Sequence, residues 1–243
     1  MENTCKDIKK IAIVLCAGRG NRMKSDVPKQ FMLLGTKPVI CYCLEVFEKS
    51  KDIDEVIVVT GNDAIKFVED DIVGRYGFKK VKAVVEGGSE RTFSVYNGLK
   101  AIEKRKALNG EKTIVFIHDG ARPFVDDKII EDTLQDALKY GASVSAVKTK
   151  DTIKICDENG FVISTPNRDQ LYNIHTPQVF DFDLIFDAYK KLMENPKPVS
   201  DDAGVLEEFS DVKVKLTEGS YDNIKITTPE DFFVANNILK KLK

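Results

Sequence analysis

The stretch Leu15-Cys-Ala-Gly-Arg-Gly-Asn-Arg-Met-Lys-Ser-Asp-Val-Pro-Lys-Gln-Phe31 decides how this chain of 243 residues is read. It begins inside an apolar, β-branched run, Ile11-Ala-Ile-Val-Leu-Cys16, whose length and composition predict a buried strand. The run stops at Ala17-Gly18, which puts a tight turn directly after the strand. Gly18 and Gly20 allow the backbone to come close to a ligand, and N–H groups converging in such a turn bind phosphate oxygens. Arg19, Arg22, Lys24 and Lys29 add cationic side chains, so the stretch predicts a polyphosphate site. Spacing excludes two common loops. No Gly-Lys-Ser/Thr follows the first glycine as an ATPase loop requires. The third glycine of a dinucleotide fingerprint would fall at Met23, and Pro28 interrupts the helix that should start there.

Working outward, Lys37-Pro38 opens a helix with Val39, Ile40, Cys43, Leu44 and Phe47 at helical spacing. Asp54-Glu-Val-Ile-Val-Val-Thr60 predicts a second buried strand, 63–75 a helix closed by Gly77, 81–86 a third strand and 90–106 a helix. Thr113-Ile-Val-Phe-Ile-His118 is a fourth strand running into Asp119-Gly-Ala-Arg-Pro123, followed by a helix over 126–140 and a strand over 142–147. Regular alternation of strand and helix predicts an α/β fold with a mostly parallel sheet and right-handed crossovers. Ligands of such sheets bind beyond the carboxyl ends of the strands, so the turns after Cys16, Glu86 and His118 are the expected site.

The alternation then breaks. Asp151-Thr-Ile-Lys-Ile-Cys156 and Phe161-Val-Ile163 flank Asp157-Glu-Asn-Gly160 and predict a β-hairpin with one apolar face. That face packs either on its own molecule or as an arm on a second subunit. Helices over 183–193 and 202–209, a strand Val212-Lys-Val-Lys-Leu216, and a last strand in Asn223-Ile-Lys-Ile-Thr-Thr-Pro229 feeding a helix over 230–242 complete the reading. One domain spanning 1–243, with an arm at about 150–178, is expected.

The 37 basic and 39 acidic residues leave a net charge of −2, so no global field favours nucleic acid or a membrane surface, and any anion site is local. Five cysteines, an odd number without a C-x-x-C pair, argue for reduced thiols and a cytoplasmic protein. The apolar run after the polar first nine residues is too short for a signal peptide or a membrane span. His118 and His175 lack chelating spacing and read as structural.

Four separated blocks resemble the 2-C-methyl-D-erythritol 4-phosphate cytidylyltransferase family. They are residues 15–31 with Pro-Lys-Gln, Gly87-Gly-Ser-Glu-Arg-Thr-Phe-Ser94, His118-Asp-Gly-Ala-Arg-Pro123 and Asn223-Ile-Lys-Ile-Thr-Thr-Pro-Glu230. Asn167-Arg168, Thr176-Pro-Gln178 and Ser200-Asp-Asp-Ala203 also match, and the blocks run in the family's order. The resemblance implies a Rossmann-like nucleotidyltransferase that joins CTP to methylerythritol phosphate in non-mevalonate isoprenoid precursor synthesis. It also implies release of pyrophosphate, help from Mg²⁺ or another divalent cation with ligands unspecified, and no covalent intermediate.

Carried over residue by residue, the resemblance implies that Cys16, Ala17, Gly18, Arg19 and Gly20 cradle the CTP phosphates, while Arg22, Lys29 and Lys225 act on the reacting phosphate. It assigns Gly87, Gly88, Arg91 and Ser94 to the cytosine side and Asp119 to the ribose. Gly120, Arg122 and Ser200, with Thr152 and Arg168 reaching in from a partner's arm in a homodimer, are implied to bind the sugar phosphate. Cys16 and Gly120 stand where the family often has Ala, and Ser200 where Thr is frequent; all three are small enough to preserve backbone or hydroxyl contacts. Two rivals are a ribitol-5-phosphate cytidylyltransferase and a non-catalytic CTP-binding regulator. The stretch Asp201-Asp-Ala-Gly-Val205 speaks against the first, and the presence of Arg22 and Lys29 against the second.

Overall fold

The structure, a computed structural model, describes residues 8–18, 27–106 and 112–242. Among the described residues a seven-stranded sheet is built from β1 (Ile8–Cys16), β4 (Glu55–Thr60), β5 (Val81–Glu86), β6 (Lys112–Asp119), β7 (Ala142–Lys148), β10 (Tyr172–Asp181) and β11 (Lys215–Glu218). Their spatial order is β11-β7-β10-β6-β1-β4-β5. β1 lies between β4 and β6, parallel to both, with Ile13 opposite Ile57 on one side and Ile117 on the other.

The central strands are apolar at consecutive positions because both faces of the sheet are covered. Ala12, Val14, Val56, Val58, Ile114 and Phe116 point to one side. There they meet α1 (Val39–Lys49) and α4 (Asp127–Tyr140), through Ile40, Leu44 and Phe47 of the first and Ile130 and Leu134 of the second. Ile11, Ile13, Ile57, Val59, Val115 and Ile117 point to the other. They pack on α3 (Arg91–Lys106), α5 (Phe182–Glu194) and α6 (Asp202–Phe209). The period-two alternation of strand side chains thus divides one apolar run between two cores. α4 begins where the Asp126 carboxylate accepts from the Ile129 amide, and it ends at Gly141, whose φ of 85° supplies the left-handed cap.

Several elements differ from the sequence expectation. β10, which the local sequence pattern does not announce, pairs antiparallel with both β6 and β7 and breaks the parallel pattern. Its polar, proline-interrupted sequence hides it: the register slips between Ile174 and Gln178, around Pro177, which has no N–H to give to a ladder. Residues 223–228 form no strand. Their alternating isoleucines, Ile224 and Ile226, instead join a satellite core with α7 (Pro229–Lys241), Leu34, Val39 and Phe124. β11 lies a few residues later than expected, because Val212 and Val214 pack beneath the sheet rather than in it. The helix predicted over 63–75 is a 3₁₀ turn, the short α2 (Ile65–Phe67) and a π-helical stretch Val68–Gly74. Two small pairs complete the set: β2 (Leu33–Leu34) with β3 (Lys37–Pro38), and the arm hairpin β8 (Ile155–Cys156) with β9 (Val162–Ser164). The hairpin strands are shorter than expected, but Gly160 closes their turn at φ 85°.

Candidate active site

Beyond the carboxyl ends of β1, β4, β5 and β6 lies a cleft of about 1380 Å³. Its wall includes ten of the residues singled out from sequence: Cys16, Ala17, Gly18, Lys29, Gly87, Gly88, Arg91, Ser94, Asp119 and Lys225. Arg19, Gly20 and Arg22 lie outside the described residues.

The turn after β1 is pinned from its far end. Pro28, Lys29 and Gln30 bring the chain back, and the buried Gln30 side-chain amide donates to the carbonyls of Cys16 and Gly18. Two backbone acceptors at the start of the turn are thereby satisfied internally. The turn after β5 presses against it. A Cβ on Gly87 would sit 2.6 Å from the Ala17 Cβ and 2.9 Å from the Ser94 hydroxyl, so only glycine allows the two turns to touch. The Gly87 amide donates to the Thr60 carbonyl at 2.7 Å. Ser94 accepts from the Gly88 amide at 3.0 Å and donates to the Glu90 carbonyl at 3.1 Å. Its hydroxyl shapes the turn.

Opposite these turns stands Asp119, the last residue of β6. Lys225 Nζ lies 2.8 Å from its Oδ2, Arg122 Nε 3.9 Å from the same oxygen, and Arg91 Nε 3.4 Å from Oδ1. Burial works against the charge of Asp119, but the Arg91 and Lys225 cations outweigh it and hold the carboxyl well below the usual range. Arg91 is further bound by Asp202, Nη1 at 2.9 Å and Nη2 at 2.7 Å. Arg91, Arg122 and Lys225 thus hold Asp119 and Asp202 in one charged network beside the cleft.

The orientation of Asp119 comes from beneath. His118 Nε2 is 3.1 Å from the Arg122 carbonyl, which can only accept, so Nε2 carries the proton. Nδ1 then accepts from the Thr176 hydroxyl at 3.1 Å, and that hydroxyl receives the Asp119 amide at 3.0 Å. Burial lowers the pKa of His118 to about 4, so the ring is neutral and structural, as its sequence context suggested. Arg122 is buried. Its Nη1 donates to the Asn223 carbonyl at 2.8 Å, and Asn223 Nδ2 donates to the Thr176 carbonyl at 2.9 Å, tying the segment that carries Lys225 to the end of β6. The Gly120 amide donates to the Leu15 carbonyl at 2.8 Å.

Gly120, Arg122 and Ser200 stand behind or beside the cleft rather than on its wall. Thr152 and Arg168 are exposed on the arm, away from the chain's own cleft wall; Arg168 Nη1 lies 3.4 Å from the Lys150 carbonyl. Sequence reasoning missed the parts played by Gln30, Thr176, Tyr189, Asp202 and Asn223. Gln30, Thr176, Asp202 and Asn223 fall inside quoted blocks, and that is the only signal the sequence offers for them.

The turn after β1 on one wall and a fixed carboxylate ringed by cations on the other, beyond the carboxyl ends of parallel strands, suit an α/β nucleotidyltransferase. The family model described as 2-C-methyl-D-erythritol 4-phosphate cytidylyltransferase matches residues 10–241. A protein of that name from Clostridium kluyveri is 46% identical over 232 residues, covering 96% of this chain and 97% of its own. One from Clostridium acetobutylicum is 47% identical over 230 residues, covering 95% and 97%. The crystal structure of 4-diphosphocytidyl-2C-methyl-D-erythritol synthase from Anaerococcus prevotii superposes with a TM-score of 0.82 at 37% identity, covering 96% of each chain. The chain therefore belongs to the 2-C-methyl-D-erythritol 4-phosphate cytidylyltransferase family of CTP-dependent nucleotidyltransferases.

Proposed function

We propose that the cleft carries out the family's reaction by in-line displacement. A phosphate oxygen of 2-C-methyl-D-erythritol 4-phosphate attacks the α-phosphorus of CTP, the bond to the bridging oxygen breaks, and pyrophosphate leaves. The product is 4-diphosphocytidyl-2-C-methyl-D-erythritol, an intermediate of non-mevalonate isoprenoid precursor synthesis. One observation carries the reading: Lys29, from the turn after β1, and Lys225, beside Asp119, line the same cleft. Cations on two sides of a reacting phosphate stabilise the charge that its oxygens carry in the transition state. The family resemblance assigns Arg22 the same role.

Direct attack is further supported by Cys16. Burial pushes its thiol up to about 12, too high for a nucleophile near neutral pH. In this reading the backbone of residues 16–20 binds the triphosphate, Gly87, Gly88, Arg91 and Ser94 lie on the cytosine side, and Asp119 on the ribose side. Among the described residues no cluster of three or more His, Cys, Asp or Glu could hold a metal by itself. The carboxylates on the cleft wall, Asp63, Glu86, Glu90 and Asp119, form no such cluster, which fits the way Mg²⁺ sits on nucleotides, held chiefly by substrate phosphates and water. A bound Mg²⁺ or other divalent cation supplies charge neutralisation on the triphosphate.

The arm is the basis for a homodimer. Phe161 is 73% exposed and Ile163 67%, and Ile155 and Val162 are exposed beside them. An apolar hairpin that its own molecule leaves bare is suited to a second copy. Thr152 and Arg168 would then complete the neighbour's sugar-phosphate site with Gly120, Arg122 and Ser200. Cysteine usage supports a cytoplasmic setting; no helix of the described residues is long and apolar enough to cross a membrane.

The test compares product formation from CTP with methylerythritol phosphate and with ribitol 5-phosphate, for wild-type protein and Lys29→Ala. The variant is expected to lose about 100-fold or more in turnover with a smaller change in CTP affinity. CDP-ribitol formed at comparable efficiency would overturn the acceptor. A wild-type rate no higher than the variant's would leave only a binding protein.

A further inference from the structure

We propose that Asp202 and Tyr189 clamp the Arg91 guanidinium and so keep it from closing on Asp119, which makes Asp202 a positioning residue for the transfer. The inference rests on reading the cleft as the transfer site. Arg91 opens α3, the end of a helix where a cation is least favoured by the backbone dipole, so its position needs a compensating anion. Asp202 supplies it. The carboxylate is fully buried, at the first turn of α6, where its own charge agrees with the dipole.

Both terminal nitrogens of Arg91 bind it, Nη1 to Oδ1 and Nη2 to Oδ2, the two-pronged geometry in which an arginine spends its fork on one partner. The Tyr189 hydroxyl donates to Oδ1 at 2.6 Å from the core side and fixes the carboxylate against α5. What remains for Asp119 is the single Nε–H, at 3.4 Å, longer than the 2.8 Å Lys225 contact on the other oxygen. Asp119 Oδ1 is therefore weakly held on its Arg91 side and able to receive a ligand group. Without the charge of Asp202, Asp119 becomes the nearest carboxylate for the fork. A two-pronged Arg91–Asp119 pair would occupy both oxygens.

Four variants test the clamp: Tyr189→Phe, Asp202→Asn, Arg91→Gln and the double variant Asp202→Asn/Arg91→Gln. CTP dissociation constants are measured by calorimetry and kcat with both substrates. The group that Asp119 receives is the CTP ribose, so Tyr189→Phe, which keeps the packing, is expected to weaken CTP binding about 3-fold and Asp202→Asn about 10-fold or more, with kcat falling at least as far. The double variant is expected to be no worse than Arg91→Gln, because Asp202 acts through Arg91. Losses that multiply in the double variant, or CTP affinity unchanged in Asp202→Asn, would overturn the proposal. Should Asp202→Asn fail to fold, Tyr189→Phe decides by the same loss of CTP affinity.

Nitrogen-15 NMR of the Arg91 guanidinium gives a readout that needs no turnover. Resolved, slowly rotating Nη protons are expected in the wild type and averaged ones in Tyr189→Phe or Asp202→Asn; averaged protons in the wild type would overturn the clamp. A wild-type protein that forms no product would fault the reaction, while these signals judge the clamp separately.

Discussion

At the scale of single residues, Thr176 shows how much depends on one hydroxyl. It donates to His118 Nδ1 and accepts the amide of Asp119, so a neutral imidazole is part of what holds the cleft carboxylate in place. Protonating His118 would leave two donors facing each other and place a charge among Arg122 and Lys225. Its pKa falls from 6.5 to about 4 on burial, so the unfolded chain binds the proton first as pH drops. Stability is therefore full above about pH 6.5 and is lost progressively down to about pH 4. The loss from this residue amounts to about 3 kcal/mol. Urea midpoints across that range should fall steeply for the wild type and less for His118→Asn; parallel curves would show that the loss arises elsewhere. Asp119 adds a second acid-labile contribution of the same sign at lower pH, because its depressed pKa is lost only when the carboxylate protonates.

At the scale of elements, α3 rests on the sheet through a glycine. A Cβ at Gly98 would meet Ile13 at 2.9 Å and Val59 at 3.2 Å, both fully buried with no room to retreat. Gly98→Ala is expected to destabilise by about 1–3 kcal/mol despite the better helix propensity of alanine, checked by denaturant midpoint. A gain in stability would mean that the helix can lift from β1. The parallel half of the sheet was legible because its strands are apolar at consecutive positions and its helices carry caps and periodicity. β10 was not, since it is polar for half its length and earns its place only through partners on β6 and β7. The site divides the same way. Glycines and cations after β1, β5 and β6 announce themselves locally, whereas the pairing of Arg91 with Asp202 joins positions 111 apart and follows from no local pattern.

At the scale of the whole molecule, the arm sets the expected assembly. Phe161→Asp together with Ile163→Asp should give a monomer by sedimentation, with the thermal stability of the α/β body little changed because both residues are already exposed. A dimer that survives the double substitution would move the interface elsewhere. The placement of β1 has a different kind of consequence, one of timing. It is the first of the seven strands in the chain and lies near the middle of the sheet, with partners that end at Thr60 and Asp119. During synthesis one edge of β1 can be matched early, but the other stays bare until half the protein has been made. The Leu15 carbonyl waits for the Gly120 amide, and the turn that follows waits with it. A nascent chain that ends before Asp119 should therefore be unable to hold a nucleotide, and it carries a long unpaired β1 edge that invites aggregation.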